Sequence, residues 1–151
     1  MTNYKVKPIS PAKDAPRSVL FVCRMNAIRS PMAAAITRTF FPNLIYSRSA
    51  GMMKGELDFL VNQVMEEVEV DISTHNPHTL EEMNEGNFEL VIALTQEAYN
   101  HALSEWGTPE SELELWETDD PSLAEGTREQ RLDAYRAVRD VLYEKVKARL
   151  G

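Results

Sequence analysis

Apolar and polar positions along this chain alternate between strand-like and helix-like patterns. Val19-Leu20-Phe21-Val22 is a continuous apolar run, which reads as a strand buried on both faces. Ser30-Pro31 then predicts a helix start, with Ser30 as N-cap and proline at the first helical position. Met32, Ile36 and Phe40 follow at four-residue spacing, and Pro42 closes that helix. Leu44-Ile45-Tyr46 predicts a second strand, closing on Ser49-Ala50-Gly51. Residues 58–68 place Leu60, Val64 and Val68 on one helix face, beside Val61 and Met65. The stretch from Asp71 to Thr79 reads as loop, followed by a short helical patch over Leu80–Met83 and a turn at Asn84-Glu85-Gly86-Asn87. Phe88–Leu94 predicts a third buried strand, and Thr95 a cap for a helix reaching about Trp106. Leu113–Trp116 predicts a fourth strand. Thr127-Arg128-Glu129-Gln130 has capping-box spacing, and the last helix carries Leu132, Tyr135, Val138, Val141, Leu142 and Val146 as its buried stripe.

This order predicts an α/β fold: three αβα layers, with a Rossmann-like, four-stranded parallel sheet and helices on both faces. Residues 1–16, with Pro8, Pro11 and Pro16, read as an extended or disordered arm. Residues 17–151 form one domain, long enough to bury a core.

Composition narrows the possibilities. No apolar run approaches the roughly 18 residues of a membrane span, and the N-terminus lacks the apolar region of a secretory signal. A net charge of −8 argues against sequence-independent nucleic-acid binding. One cysteine excludes an internal disulfide framework and fits a reducing cytoplasm. His75, His78 and His101 form no ligand cluster with that cysteine, so neither a metal nor another cofactor is expected.

The cysteine is the informative residue. Cys23 falls at the C-terminal end of the first strand, where ligands of such sheets bind. The following helix start offers unpaired N–H groups and a partial positive charge, which favour a thiolate and cradle a tetrahedral oxyanion. Arg29 adds a planar fork for two anion oxygens. Ser30 can donate its hydroxyl to the thiolate, and Asn26 tolerates left-handed backbone. The loop Arg24-Met25-Asn26-Ala27-Ile28-Arg29-Ser30 is therefore a candidate binding site for phosphate- or sulfate-like anions, with Cys23 as nucleophile. A lone cysteine after a buried strand is otherwise a small core residue.

Strand, Cys-x5-Arg-Ser-Pro and helix together resemble the low-molecular-weight protein tyrosine phosphatases and the arsenate reductases built on the same fold. The resemblance covers about residues 17–150. Val22 precedes the cysteine, where the large tyrosine phosphatases have histidine. Ser49-Ala50-Gly51, Asp71-Ile72-Ser73-Thr74-His75, Phe88–Leu94 and Asp120-Pro121 resemble further family landmarks in the same order. The resemblance implies Asp120 as general acid, with Asp119 the weaker candidate since only Asp120 adjoins the proline. It also implies that Ser49 and His75 hydrogen-bond Asn26 and support the loop, while His78 and His101 have no counterpart.

The chain departs from the family pattern at several positions. Met25 stands where the phosphatases have glycine, a strained choice if that position needs positive φ. Ile28 replaces the second loop cysteine, so no neighbouring thiol protects Cys23 from oxidation. Ser122 and Leu123 stand where aromatic residues follow Asp-Pro in the eukaryotic phosphatases. Asn26-Ala27, Arg29-Ser30 and Met32-Ala33 also resemble the loop of some arsenate reductases.

Three functions are thus expected in order. The first is a metal-independent phosphomonoester hydrolase acting through a phosphocysteine on phosphotyrosine protein or a small aryl phosphate. The second is a single-cysteine arsenate reductase drawing on an external thiol. The third is an oxyanion-binding regulatory module with little turnover.

Overall fold

The protein is described by a computed structural model covering residues 4–83 and 87–151. Four strands run β1 (Ser18–Cys23), β2 (Tyr46–Gly51), β3 (Leu90–Ala93) and β4 (Leu113–Leu115). Four helices are α1 (Arg29–Phe40), α2 (Phe59–Glu66), α3 (Gln96–Ser104) and α4 (Arg128–Leu150). Short 3-10 turns occupy Glu81–Met83, Glu110–Glu112 and Pro121–Leu123. The sheet is entirely parallel, in the order β2-β1-β3-β4. Cys23 pairs with Gly51 across β1 and β2, and Val22 with Ala93 across β1 and β3. The strand order reverses at β1, so its C-terminal end is the crevice where such sheets bind ligands.

The pleat of β1 divides the core. Val19, Phe21 and Cys23 face a layer made with α1, α2 and α4, while Leu20 and Val22 face Ala98 and Ala102 of α3. This is the expected three-layer α/β arrangement. Thr95 caps α3 by accepting from Ala98 N, and Thr127 and Gln130 form the capping box of α4.

Several expectations need correction. The second strand is not Leu44–Tyr46. Leu44 is exposed, and the strand begins at Tyr46 and continues through the polar Ser47, Arg48 and Ser49. An edge strand of this composition carries no apolar run. Helix α1 starts two residues early, at Arg29, with Ile28 as N-cap and no side-chain cap. Ser30 is inside the helix, and Pro31 is its third residue, where a missing N–H still costs no helical bond. Val141 is exposed, whereas Arg139 is fully buried. The Arg139 guanidinium donates to the Val64 carbonyl (2.7 Å), Glu67 Oε1 (2.7 Å) and Asp140 Oδ1 (2.9 Å), which compensates its burial. Three of the four residues of the turn at 84–87 lie outside the described residues.

Residues 4–16 run without helix or strand along the domain. Backbone bonds join Val6 N to Val68 O, Ile9 N to Phe40 O and Ala12 N to Leu150 O. Val6 is buried in the core, and Tyr4 donates to Asp140.

Candidate active site

The segment joining β1 to α1 closes around Cys23 Sγ. Five successive carbonyls of this loop are held from outside. Met52 N donates to Cys23 O (3.1 Å), Met53 N to Arg24 O (2.9 Å) and Gly55 N to Met25 O (2.8 Å). His75 Nε2 donates to Asn26 O (2.9 Å) and Asp58 N to Ala27 O (3.2 Å). In a trans peptide the N–H lies opposite the preceding C=O, so carbonyls tied outward turn the next N–H groups inward. The Asn26 N–H does reach Cys23 Sγ, at 3.3 Å. A concave ring of N–H donors results, which is an anion-binding surface.

The left-handed residue of the loop is Asn26, at φ 54°, and not Met25. Met25 therefore stands in place of glycine without the expected strain. Close approach is instead accommodated at Gly51. A Cβ there would lie 2.6 Å from Asn26 N and 2.8 Å from the Met25 carbonyl carbon.

Asn26 is fully buried, and its amide is used at both ends. Nδ2 donates to Ser30 Oγ (2.9 Å), and Oδ1 accepts from His78 N (2.8 Å). Ser49 is buried on β2, and among the described residues no hydrogen bond joins it to Asn26, whose amide instead meets Ser30 and the His78 backbone. His75 does contact Asn26, through the backbone carbonyl. A carbonyl only accepts, so His75 carries its proton on Nε2. Burial holds the His75 pKa below the ordinary histidine value, against the opposing effect of that hydrogen bond.

Ser30 Oγ lies 2.9 Å from Cys23 Sγ and 3.3 Å from the Ala50 carbonyl. These contacts define two proton arrangements. With a thiol, Sγ–H donates to Ser30 and Ser30 donates to Ala50. With a thiolate, Ser30 rotates its hydroxyl proton onto sulfur while the Asn26 amide still donates to Ser30 Oγ. A hydroxyl rotation converts one into the other.

The rest of the site comes from the far edge of the sheet. Beyond β4, Trp116 N donates to Ala93 O (2.8 Å) and Thr118 N to Leu94 O (3.0 Å), leading the chain past the end of β3. Arg29 Nη1 donates to Thr118 O at 3.0 Å. Asp120 follows as cap of the Pro121–Leu123 turn, its Oδ1 accepting from Ser122 N (3.0 Å) and Oγ (2.6 Å). Oδ2 has no partner among the described residues. Asp119 is exposed and Asp120 half-buried. From α4, Tyr135 Oη donates to Asp58 Oδ2 (2.7 Å), while Asp58 Oδ1 caps α2 through Leu60 N (2.9 Å). Burial, then this carboxylate, raises the Tyr135 pKa and keeps the phenol protonated.

The sequence-predicted residues Cys23, Asn26, Ser30 and His75 thus form one hydrogen-bonded unit, and Arg29, next in the chain to Ser30, bonds Thr118 near the Asp120 turn. Sequence reasoning missed Asp58, Tyr135, the 52–55 backbone and the His78 amide. Asp58 alone left a signal, as an N-cap before an apolar helix. Phe59 and Leu123, adjoining Asp58 and the Asp120 turn, are 67% and 78% exposed. Among the described residues no His, Cys, Asp and Glu group is arranged to hold a metal, and no helix is long and apolar enough to cross a membrane.

A parallel α/β sheet carrying a cysteine, an arginine and a tethered loop at its switch point defines an α/β fold with a candidate oxyanion site. The sequence profile described as low molecular weight phosphotyrosine protein phosphatase matches residues 18–150, and the chain belongs to that family. It is 32% identical over 130 residues to a glutaredoxin arsenate reductase of Synechocystis sp., covering 86% of this chain and 93% of that one. An arsenate reductase of Bacillus subtilis is 28% identical over 129 residues, covering 85% and 91%. Among solved structures, an arsenate reductase in the phosphate binding state superposes with a TM-score of 0.71 at 28% identity, over 87% and 95% of the two chains. The Erwinia amylovora tyrosine phosphatase AmsI shares the fold, with a TM-score of 0.74 at 22% identity over 87% and 89%.

Proposed function

We propose that this protein is a phosphomonoester hydrolase of the protein-tyrosine-phosphatase type. The observation that carries the reading is the outward tethering of five loop carbonyls around Cys23, which leaves inward N–H groups for three phosphoryl oxygens. Arg29 grips two of those oxygens in its fork. Sγ of Cys23 attacks phosphorus in line, the S–P bond forms, and the P–O bond to the leaving group breaks. Protonated Asp120 gives its proton to the leaving oxygen. Asp120 then takes a proton from water as that water attacks phosphorus, the S–P bond breaks, and Ser30 donates to the departing thiolate. The phosphocysteine splits one difficult displacement into two easier ones. Charge stabilisation comes from fixed donors, so no metal is needed. Exposed Phe59 and Leu123 provide apolar surface beside the site, which supports an aryl phosphate or the phosphotyrosine of a protein as substrate. The single cysteine is consistent with work in a reducing cytoplasm.

The test is hydrolysis of para-nitrophenyl phosphate in EDTA. Wild type turns over, Cys23→Ser is inactive, and Asp120→Asn loses kcat far more than affinity. Absence of Cys23-dependent turnover overturns the reading.

A second reading has its own support, because the relatives at 32% and 28% identity named above are arsenate reductases. Here Cys23 attacks arsenic(V) and displaces an oxygen as water. An external thiol then attacks Cys23 Sγ. Two electrons pass to arsenic, which leaves as arsenic(III), and the two thiols end as a mixed disulfide. A glutaredoxin-type dithiol returns Cys23 to the thiol. Arsenite formation that requires an added small thiol selects this reading.

A further inference from the structure

His75 and His78 hold Asn26 from one side, and on that side lies a groove of about 940 Å3 along the β2 edge. Neither Cys23, Arg29 nor Asp120 lines it. In a chain of net charge −8, this groove collects Arg17, Arg38, Arg48, His75 and His78. Among the described residues none of these three arginines makes an ion pair, whereas Arg136, Arg139 and Arg149 all do. Arg38 donates to the Ser47 carbonyl (3.4 Å). Arg48 donates to the Tyr46 hydroxyl (2.7 Å) and to His78 Nε2 (3.3 Å). Of the nearby carboxylates, Asp71 accepts twice from Ser73 through Oδ1 and opposes the charge of Arg38, and Glu89 accepts from Arg17 N. Burial and the charge of Arg48 both push the Arg38 pKa down, and His75 is pushed down by burial with contributions from His78 and Arg38. The groove therefore gathers three arginines against the single exposed carboxylate of Asp71, an excess of positive charge in a concavity of small-molecule size.

We propose that this groove is a second anion site that takes a small multivalent phosphate, a di- or triphosphate, with Arg17, Arg38 and Arg48 on its oxygens. Leu44 and Tyr46, both exposed along the same groove, offer a wall for an organic group carried by the phosphate. The site is separate from the Cys23 chemistry and stands whichever reaction that cysteine performs.

The experiment is a titration of the 15N-labelled full chain with tripolyphosphate and, separately, with ATP, alongside calorimetry. Amide shifts are expected at Arg48, Asn76 and His78, and Arg38→Ala/Arg48→Ala should weaken binding by at least about tenfold. Should that double variant fail to fold, the single variant Arg38→Gln serves instead and should also weaken binding. Shifts confined to residues 24–30, or groove shifts and affinity unchanged in the arginine variants, overturn the proposal. Tighter binding of ATP that is lost in Leu44→Ser assigns an organic phosphate, and equal affinities assign bare polyphosphate.

Discussion

The Arg29 guanidinium donates to the Thr118 carbonyl at 3.0 Å, two residues before Asp120. One arginine thus ties the loop after Cys23 to the turn carrying Asp120, and in the proposed hydrolase it also grips substrate. Lysine keeps the charge but lacks the planar fork. Arg29→Lys is expected to lower kcat for para-nitrophenyl phosphate by about 10²–10³. Steady-state kinetics decides it, and a loss confined to KM would show that Arg29 only binds.

Ser30 Oγ lies 2.9 Å from Cys23 Sγ, and in the proposed reaction it stabilises the thiolate when sulfur leaves phosphorus. Ser30→Ala is expected to slow hydrolysis of the phosphocysteine more than its formation. Rapid-mixing kinetics should then show a burst of para-nitrophenol followed by a slower steady rate. A uniform slowing with no burst would place Ser30 in the first step instead.

The pH behaviour of the loop follows from His75. Its folded pKa lies below the ordinary value of 6.5, so below that pH the unfolded chain binds more protons than the folded one. Stability from the neutral ring is fully present above about 6.5 and falls as pH drops through the folded value. Denaturant midpoints between pH 7.5 and about pH 5 should decline in wild type. In His75→Gln, starting from a lower midpoint, the decline should be shallower. Parallel curves would remove His75 as the cause.

Much of this architecture was legible in the sequence, and the reasons differ by element. Val19–Val22 announced β1 because a strand buried on both faces has no room for polar residues. Thr127 and Gln130 announced α4 because capping uses particular side chains. β2 was found by its Ser49-Ala50-Gly51 end and misplaced at its start, because Ser47, Arg48 and Ser49 sit on an edge strand without an apolar run. Ser30-Pro31 misplaced the start of α1, since proline is tolerated throughout a first turn. Within the site, Cys23 and Arg29 stood out by spacing. The donors from Met52, Met53 and Gly55 did not, because a backbone N–H leaves no mark on residue type.

Gly51 shows the same dependence on backbone. Its missing Cβ is what lets Asn26 N and Met53 O come within 2.6 Å of that position. Gly51→Ala must push the loop or the 52–55 segment aside, at a cost of about 1–3 kcal/mol. Thermal denaturation should show that loss, and calorimetry should show weakened phosphate binding. Unchanged phosphate affinity would mean that the loop tolerates the shift.

The tethers of the phosphate loop also bear on when this protein becomes reactive. Residues 23–27 take their curve from partners at positions 52–58 and 75, all made later in the chain. Until β2 lies beside β1, nothing turns those N–H groups towards Cys23. A half-synthesised or locally opened molecule therefore exposes a plain cysteine in a pliable segment. In the proposed enzyme chemical competence and completed folding are therefore a single event, and loss of the fold takes away the shape of the loop around Cys23.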